Sequence, residues 1–421
     1  MGPMHLVLDE LDREGVVAPL SDLHAAALAR TRLVEVRSER LGWRLLPRGM
    51  VGSARVGESQ VDVRPKDKVG LTRLLFLLGY AQDPGFAPGN VSAAPDDDLW
   101  PALADSLARL VRRALGPGVL QGYRNADEAL RTVRGRIRIG DQITRHPGQM
   151  VPIETTHDEF TVDIPENRIL RSAIRRMLAV PRIGAAARAS LGHLDGRLAG
   201  VRLLTPGVAL PSWRATRLNR HYLPALRLAE IILANASAET GPGGLQMASF
   251  AVDMARVYED FVTIALREAL ARYPGVTRSQ YRTRLDEADH MGLAGIPMYV
   301  DVVHLVDHDP RLVFDPKYKA AGPRGQYPNA DHYQMLAYCT ALRVHVAWLV
   351  YAGGGVARTR RVVNTGISVI EYPLDLTQEP RALLRQVESL AEDAWRVFEF
   401  SSGEHRGGNS NRIAKAVAVG I

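Results

Sequence analysis

The hydrophobic pattern changes period along the chain. In residues 1–68 short apolar runs alternate with polar residues: "RLVEVRS", "GWRLLP", "SARVG" and "QVDVRPK", separated by Gly and Pro. Period-two alternation predicts half-buried strands, so this stretch reads as a β-rich region, a small barrel or curled sheet. Over residues 69–240 the pattern is mainly helical. "TRLLFLLGYA" is one helix, and "LWPALADSLARLVRRALGPG" is another, with Gly116 placed to cap its C-terminus. "GRIRIG" reads as a short strand after a turn. "DIPENRILRSAIRRMLAV" opens a helix with Asp163 as N-cap and Glu166 three residues on. More helix follows through "YLPALRLAEIILANA".

The polar, Gly/Pro-rich "SAETGPGGLQ", residues 237–246, reads as a domain boundary. Residues 247–402 then give a helix ("MARVYEDFVTIALREALARY"), two strands joined by "DHDP", and a helix ("NADHYQMLAYCTALR"). Two more strands ("VHVAWLVYA", "GISVIEYPLDL") and a closing helix complete the segment. This α-β-β-α-β-β-α order predicts a mixed sheet with helices against it. Residues 403–421 are expected to be a flexible tail. The chain thus reads as an α+β multidomain protein: a β-rich and helical N-terminal part, then an α/β mixed-sheet domain.

Composition narrows the picture little. The 421 residues allow two or three domains. No apolar run reaches the ~18 residues of a membrane span, and no secretory h-region is visible. The single cysteine, Cys339, excludes an intramolecular disulfide and a Cys-based zinc site. A cytoplasmic protein is expected. The net charge of +7 and pI near 9.6 come mostly from arginine. A polyanionic partner and a GC-rich genome explain that excess equally well.

The chemistry is carried by "RLVFDPKYKA". Asp315 and Lys317 are two apart on a strand and so share a face. Asp301 ends the apolar approach "IPMYVD" on the strand before. Two carboxylates on neighbouring strands can hold Mg²⁺, which keeps much of its water. A lysine beside them can orient or deprotonate a water, or neutralise the charge growing on a phosphate. A structural Asp–Lys pair is the plainer alternative, but both strands are otherwise apolar, and burying charge without function is costly. At 100° per residue, Glu259 falls at the edge of the apolar helix face of Met254, Val257, Phe261 and Val262. Gln334 falls beside Tyr338 on the later helix. Taken singly, these two read as a solvated charge and a boundary residue. His304, His308 and His332 form no ligand set at recognisable spacing.

The order helix-Glu, strand-Asp, strand-Asp-x-Lys, helix-Gln resembles the PD-(D/E)xK nuclease superfamily, although no proline directly precedes Asp301. "VYEDFV", "VFDPKYK" and "ADHYQMLAYCTAL" are similar to the McrC family, the nuclease subunits of McrBC modification-dependent restriction systems. "VDVRPK", "YRNADEALRTVRGRIRI" and "THDEFTVDIPENRILRSAI" extend the resemblance from about Val61 to Arg343. It implies a restriction-endonuclease-like domain over 247–402 that cuts double-stranded, modified DNA in antiphage defence, with Mg²⁺ or Mn²⁺ as cofactor. It also implies that residues 69–240 dock on a hexameric AAA+ GTPase, McrB, which recognises the modified cytosine. Consistently, this chain carries no G-x-x-x-x-G-K-[ST] nucleotide-binding motif.

By position, the resemblance makes Asp301 and Asp315 metal ligands, Lys317 the catalytic lysine, and Glu259 a further metal or water ligand. Gln334 and Tyr333 would support the site or touch DNA. Arg134, Gly135 and Arg136 form either a motor- or phosphate-facing loop or a tight turn with solvated arginines. Asp158 and Glu159 read as a structural turn leading to the Asp163 cap. Two other functions fit less of the sequence: a non-catalytic activator of a AAA+ partner, and a stand-alone repair nuclease with the same core.

Overall fold

The computed structural model describes residues 4–65, 69–84, 86, 98–241, 244–287, 295–319 and 329–403. The chain divides into two units: residues 1–54, 58–97 and 251–421 form the first, and residues 55–57 and 98–250 the second. The expected tail beyond Gly403, and Lys66 of "VDVRPK", lie outside the described residues.

The first unit begins with β1 (Met4–Asp9), β2 (Val16–Ala18), α1 (Asp22–Ala29), β3 (Val34–Glu39), β4 (Gly42–Pro47), β5 (Met50–Val56), β6 (Ser59–Arg64) and α2 (Leu71–Gln82). The region is strand-rich, but its strands fall into more than one sheet rather than one barrel: β2, β4 and β3 pair antiparallel, while β1 runs parallel to β6. Helix α1, capped by the Ser21 side chain, was not legible as a helix in the alternating pattern around it.

The second unit contains α3 (Leu99–Ala114), β7 (Gly122–Leu130), β8 (Arg136–Ile137), α4 (Ile139–Arg145), β9 (Ile153–Thr161), α5 (Pro165–Leu178), α6 (Ala185–Arg197), α7 (Leu223–Asn235), β10 (Ala236–Thr240) and β11 (Gln246–Asp253). Helices α3, α5, α6 and α7 pack together around Leu103, Leu107, Ile169, Leu170, Ile174 and Leu226, all fully buried. β7, β9 and β8 form a separate three-stranded sheet.

Two sequence expectations change here. "HDEF" is not a turn: Asp158 and Glu159 lie in β9, opposite Asn125 and Arg124 of β7. Asp163 does not cap α5, whose N-cap residue is Ile164 with no side-chain bond. Instead the buried Asp163 carboxylate accepts from Arg124 at 3.1 Å, Arg168 at 2.7 Å and Arg202 at 2.7 Å. In "SAETGPGGLQ" residues 237–240 lie in β10 and Gln246 opens β11, which pair antiparallel from Ala236↔Phe250 to Thr240↔Gln246; the division between the two units falls just beyond, at 250/251.

The remainder of the first unit is α8 (Met254–Leu270), β12 (Val276–Arg284), β13 (Pro297–Val306), β14 (Asp309–Lys317), α9 (Asn329–Leu342), β15 (Val346–Ala352), β16 (Arg358–Arg361), β17 (Ser368–Leu374) and α10 (Pro380–Gly403). The expected helices and strands are present, and β12 and β16 are added to them. The sheet is mixed, in the order β12-β13-β14-β15-β17-β16. β13 and β14 form a hairpin turned by Asp307 and His308, both with positive φ, the geometry that matches strand twist. β14, β15 and β17 run parallel. Helix α2 packs on α8, with Phe76 and Tyr80 against Phe261 at 5.9 and 5.5 Å between ring centroids. That contact places the segment after residue 68 with the first unit rather than with the helices that follow it.

Candidate active site

The site forms where β13 and β14 lie side by side inside the sheet. Their ladder pairs His304↔Leu312, Val303↔Val313 and Val302↔Phe314. One further step in this register sets Asp301 abreast of Asp315. On its other side β14 pairs in parallel with β15, placing Asp315 beside Leu349 and Lys317 beside Tyr351. Beneath the site lies an apolar cluster that includes Val303, Val313, Leu349, Met335, Tyr338 and Cys339, so α9 covers this face.

Asp315 is fully buried. Lys317 Nζ lies 2.7 Å from Asp315 Oδ2 and 3.9 Å from Asp301 Oδ2. The 2.7 Å contact is an ion contact without hydrogen-bond alignment, and both Asp315 oxygens lack a hydrogen-bond partner among the described residues. Burial drives the Asp315 carboxyl up to about 7; Lys317 pulls it down, and the Asp301 charge adds to the rise. For Lys317, burial acts downward, but Asp315 and Asp301 outweigh it and the net shift is upward. Lys317 is therefore an ammonium here, suited to stabilising negative charge rather than to removing a proton.

Glu259 on α8 comes within electrostatic reach. Its carboxyl is raised by burial and then by Asp301, and lowered by Lys317. It does not complete a ligand cage: among the described residues no three His, Cys, Asp or Glu side chains stand close enough together to hold a metal ion. Asp301 and Asp315 alone supply the donors, and two carboxylates fit a cation that keeps several waters. Asp315 Oδ2 has the Lys317 ammonium at 2.7 Å, but Oδ1 has neither hydrogen bond nor ion pair among the described residues; this buried free oxygen is the observation that favours such an occupant.

Gln334 Nε2 donates to Tyr338 Oη at 2.7 Å, and Tyr338 Oη donates to the Tyr299 carbonyl at 2.8 Å. Burial, then the charges of Asp315 and Asp301, push the Tyr338 hydroxyl up to about 12. Gln334 thus braces a tyrosine under the site. Tyr333, one residue away, is 69% exposed and free to meet a ligand.

Two groups were not singled out from the sequence. Gln280 on β12 donates from Nε2 to Asp301 Oδ1 at 2.8 Å. Asp331, buried on α9, accepts from Lys319 at 2.5 Å and from the Tyr351 hydroxyl at 3.2 Å, and its charge adds to the rise at Lys317. Asp331 could have been found from its spacing, because it shares a helical stripe with Met335, Tyr338 and Cys339. β12 could have been found from Thr277, Tyr281 and Thr283, strand-forming residues at alternate positions.

In the second unit Gly135 has φ +73°, and a Cβ there would meet Thr156 O at 2.3 Å. The glycine is thus required by the close approach of β9. Arg134 and Arg136 beside it are exposed, with Arg134 donating only a long 3.5 Å bond to the Asp158 carbonyl. His304 is buried between Thr277 and Pro274, and His332 pairs with buried Glu371 at 2.8 Å. Neither belongs to a metal set.

The site is thus a mixed sheet flanked by helices, with Asp301 on one strand and Asp315 and Lys317 on the next. The chain belongs to the family of McrBC 5-methylcytosine restriction system components, whose model matches residues 45–352. Its fold is similar to a chain in the tetradecameric assembly of Thermococcus gammatolerans McrB AAA+ hexamers with bound McrC. The two are 16% identical with a TM-score of 0.55, over 91% of this chain and 98% of that one. A chain of the Thermococcus gammatolerans McrBC complex, solved by cryo-electron microscopy, is 19% identical with a TM-score of 0.39, over 64% of this chain and 89% of that one. No curated protein matches the sequence.

Proposed function

We propose that this chain is the Mg²⁺-dependent DNA endonuclease subunit of a McrBC-type restriction system, cutting phosphodiester bonds under the control of a partner AAA+ NTPase that reads modified DNA. The observation that carries this reading is Lys317 Nζ set 2.7 Å from a buried Asp315 carboxylate and 3.9 Å from Asp301.

Asp301 and Asp315 would hold the cation from neighbouring strands. When bound, a divalent ion supplies Lewis-acid polarisation of the scissile phosphate and lowers the pKa of a coordinated water. Lys317 faces the same space and, as an ammonium, offsets charge that develops on the phosphate oxygens. Glu259, near enough to feel Asp301, would hold a water rather than close a ligand cage. Gln334 and Tyr338 keep the floor of the site rigid.

The partner follows from family membership and from the McrB hexamers that bind McrC in the Thermococcus gammatolerans assembly. The second unit, with Arg134 and Arg136 flanking Gly135, is the half that faces this partner in our reading. No helix of the described residues is long and apolar enough to cross a membrane, in keeping with cytoplasmic work on DNA. The test is cleavage of modified duplex DNA by Asp301→Ala, Asp315→Ala and Lys317→Ala chains with partner, NTP and Mg²⁺. All three should lose cleavage and keep stimulating the partner's hydrolysis.

A further inference from the structure

We infer that the exposed edge strand β12 is a rail for the DNA backbone beside the cutting site, with Arg278, Arg282 and Arg284 as its phosphate contacts. This rests on the nuclease reading above and goes beyond it by placing the substrate. Among the described residues β12 is the outermost strand of the six-stranded sheet and pairs with β13 alone. All three arginines are exposed, and none has an ion pair among the described residues. That sets them apart from many other arginines of this chain. Arg124, Arg168 and Arg202 share Asp163, Arg171 and Arg175 share Asp195, and Arg360 pairs with buried Glu371.

The strand also reaches the site directly. Gln280, in the middle of the arginines, donates to Asp301 at 2.8 Å. Phosphates lying along β12 would therefore pass next to the carboxylate that is to hold the metal. Six residue steps from Arg278 to Arg284 span about 20 Å at strand rise, the axial length of about six base pairs. Such contacts position a duplex without reading its sequence, which suits a subunit whose partner does the reading. Charge on an edge strand also guards against sheet-to-sheet association, so the test must separate the two roles.

The test is binding of the full chain to a fluorescein-labelled duplex, with Ca²⁺ in place of Mg²⁺, followed by anisotropy across a salt series. The variant is Arg278→Gln with Arg282→Gln and Arg284→Gln; the control is Arg358→Gln with Arg361→Gln on β16, the opposite edge. We expect the β12 variant to lose about tenfold or more in affinity at low salt, and its log–log salt slope to flatten by about 2–3. The control should change less than about twofold, and both variants should melt as the parent does. Unchanged affinity and slope in a folded β12 variant overturns the rail, and so does an equal loss in the control. If the parent chain binds DNA and Asp315→Asn abolishes its cleavage, that result leaves the nuclease reading standing. A parent chain that neither binds nor cuts duplex DNA with its partner removes both.

Discussion

Gln280 holds the Asp301 carboxylate at 2.8 Å from a left-handed backbone, φ +48°. A non-glycine residue in that region costs about 1–3 kcal/mol, and such strain collects where a side chain has to be aimed. In the β12–β13 register, which is the same on both sides, Gln280 stands opposite Asp301 and is the residue left out of the paired ladder.

The Gln280→Gly variant should therefore separate stability from site geometry. Relief of the left-handed strain should hold or raise stability, by up to about 1 kcal/mol. Loss of the amide should weaken Mn²⁺ binding several-fold in titration calorimetry. Parental Mn²⁺ affinity in this variant would show that Asp301 needs no such support.

Asp315 is a buried carboxylate whose environment favours its neutral form. For an acid raised in the folded state, the stabilising contribution is complete below the unfolded value of 3.8 and is lost as pH rises through about 7. Asp315→Asn removes that penalty. At pH 8 it should melt no lower than the parent and be more stable by about 1–3 kcal/mol, while losing cleavage. A clear fall in melting temperature would mean that the Lys317 pair stabilises the fold rather than burdening it.

Asp331 is the opposite case. It is buried and satisfied by Lys319 and Tyr351, so Asp331→Ala removes an acceptor from both the Lys319 ammonium and the Tyr351 hydroxyl. Chemical denaturation should show a loss of about 2–4 kcal/mol. Tyr351→Phe, which removes one donor, should cost about 0.5–1.5 kcal/mol. Equal losses for the two would argue that the tyrosine hydroxyl, not the carboxylate, anchors this corner.

The C-terminal domain was legible because most of its strands are apolar runs and α8 and α10 are amphipathic; strand alternation put Asp315 and Lys317 on one face, and the apolar strands around them and the family resemblance made that pair a candidate site. β12 was missed, because the polar and charged residues of "VTRSQYRTR", which face solvent at a sheet edge, mask the weaker strand signal of Thr277, Tyr281 and Thr283. The Asp163 cap was misread for a different reason. An Asp two residues before Pro165 has the local spacing of a cap, yet three arginines distant in sequence or one turn away outcompete the backbone for it. The "HDEF" segment carries too many polar residues to read as a strand, and its pairing with β7 is long-range. Sequence order alone also could not show that Asp301 and Asp315 lie abreast, since that depends on the two-residue turn at Asp307 and His308.

His304 offers a pH test away from the catalytic groups. Its Nε2 donates to the Pro274 carbonyl at 2.9 Å, which leaves Nδ1 to accept from the Thr277 hydroxyl at 2.9 Å. Burial holds the ring below its usual 6.5, with the Pro274 bond opposing. The unfolded chain then takes up the proton first as pH falls. The stability this neutral ring contributes is complete above about 6.5 and is lost below it. Urea midpoints should drop on going from pH 7 to pH 5, and His304→Gln should flatten that drop. Parallel pH profiles for the two proteins would contradict the assignment.

The most direct measurement is DNA cleavage and partner hydrolysis in the same reaction, using Lys317→Ala with the partner NTPase, modified duplex and Mg²⁺. Lys317 contributes no metal ligand in this account, so the variant should still bind Mn²⁺ and still stimulate hydrolysis while cleavage falls by about 10²-fold or more. Cleavage at the parental rate would contradict the site; loss of hydrolysis together with cleavage would place Lys317 in partner coupling instead of phosphodiester chemistry.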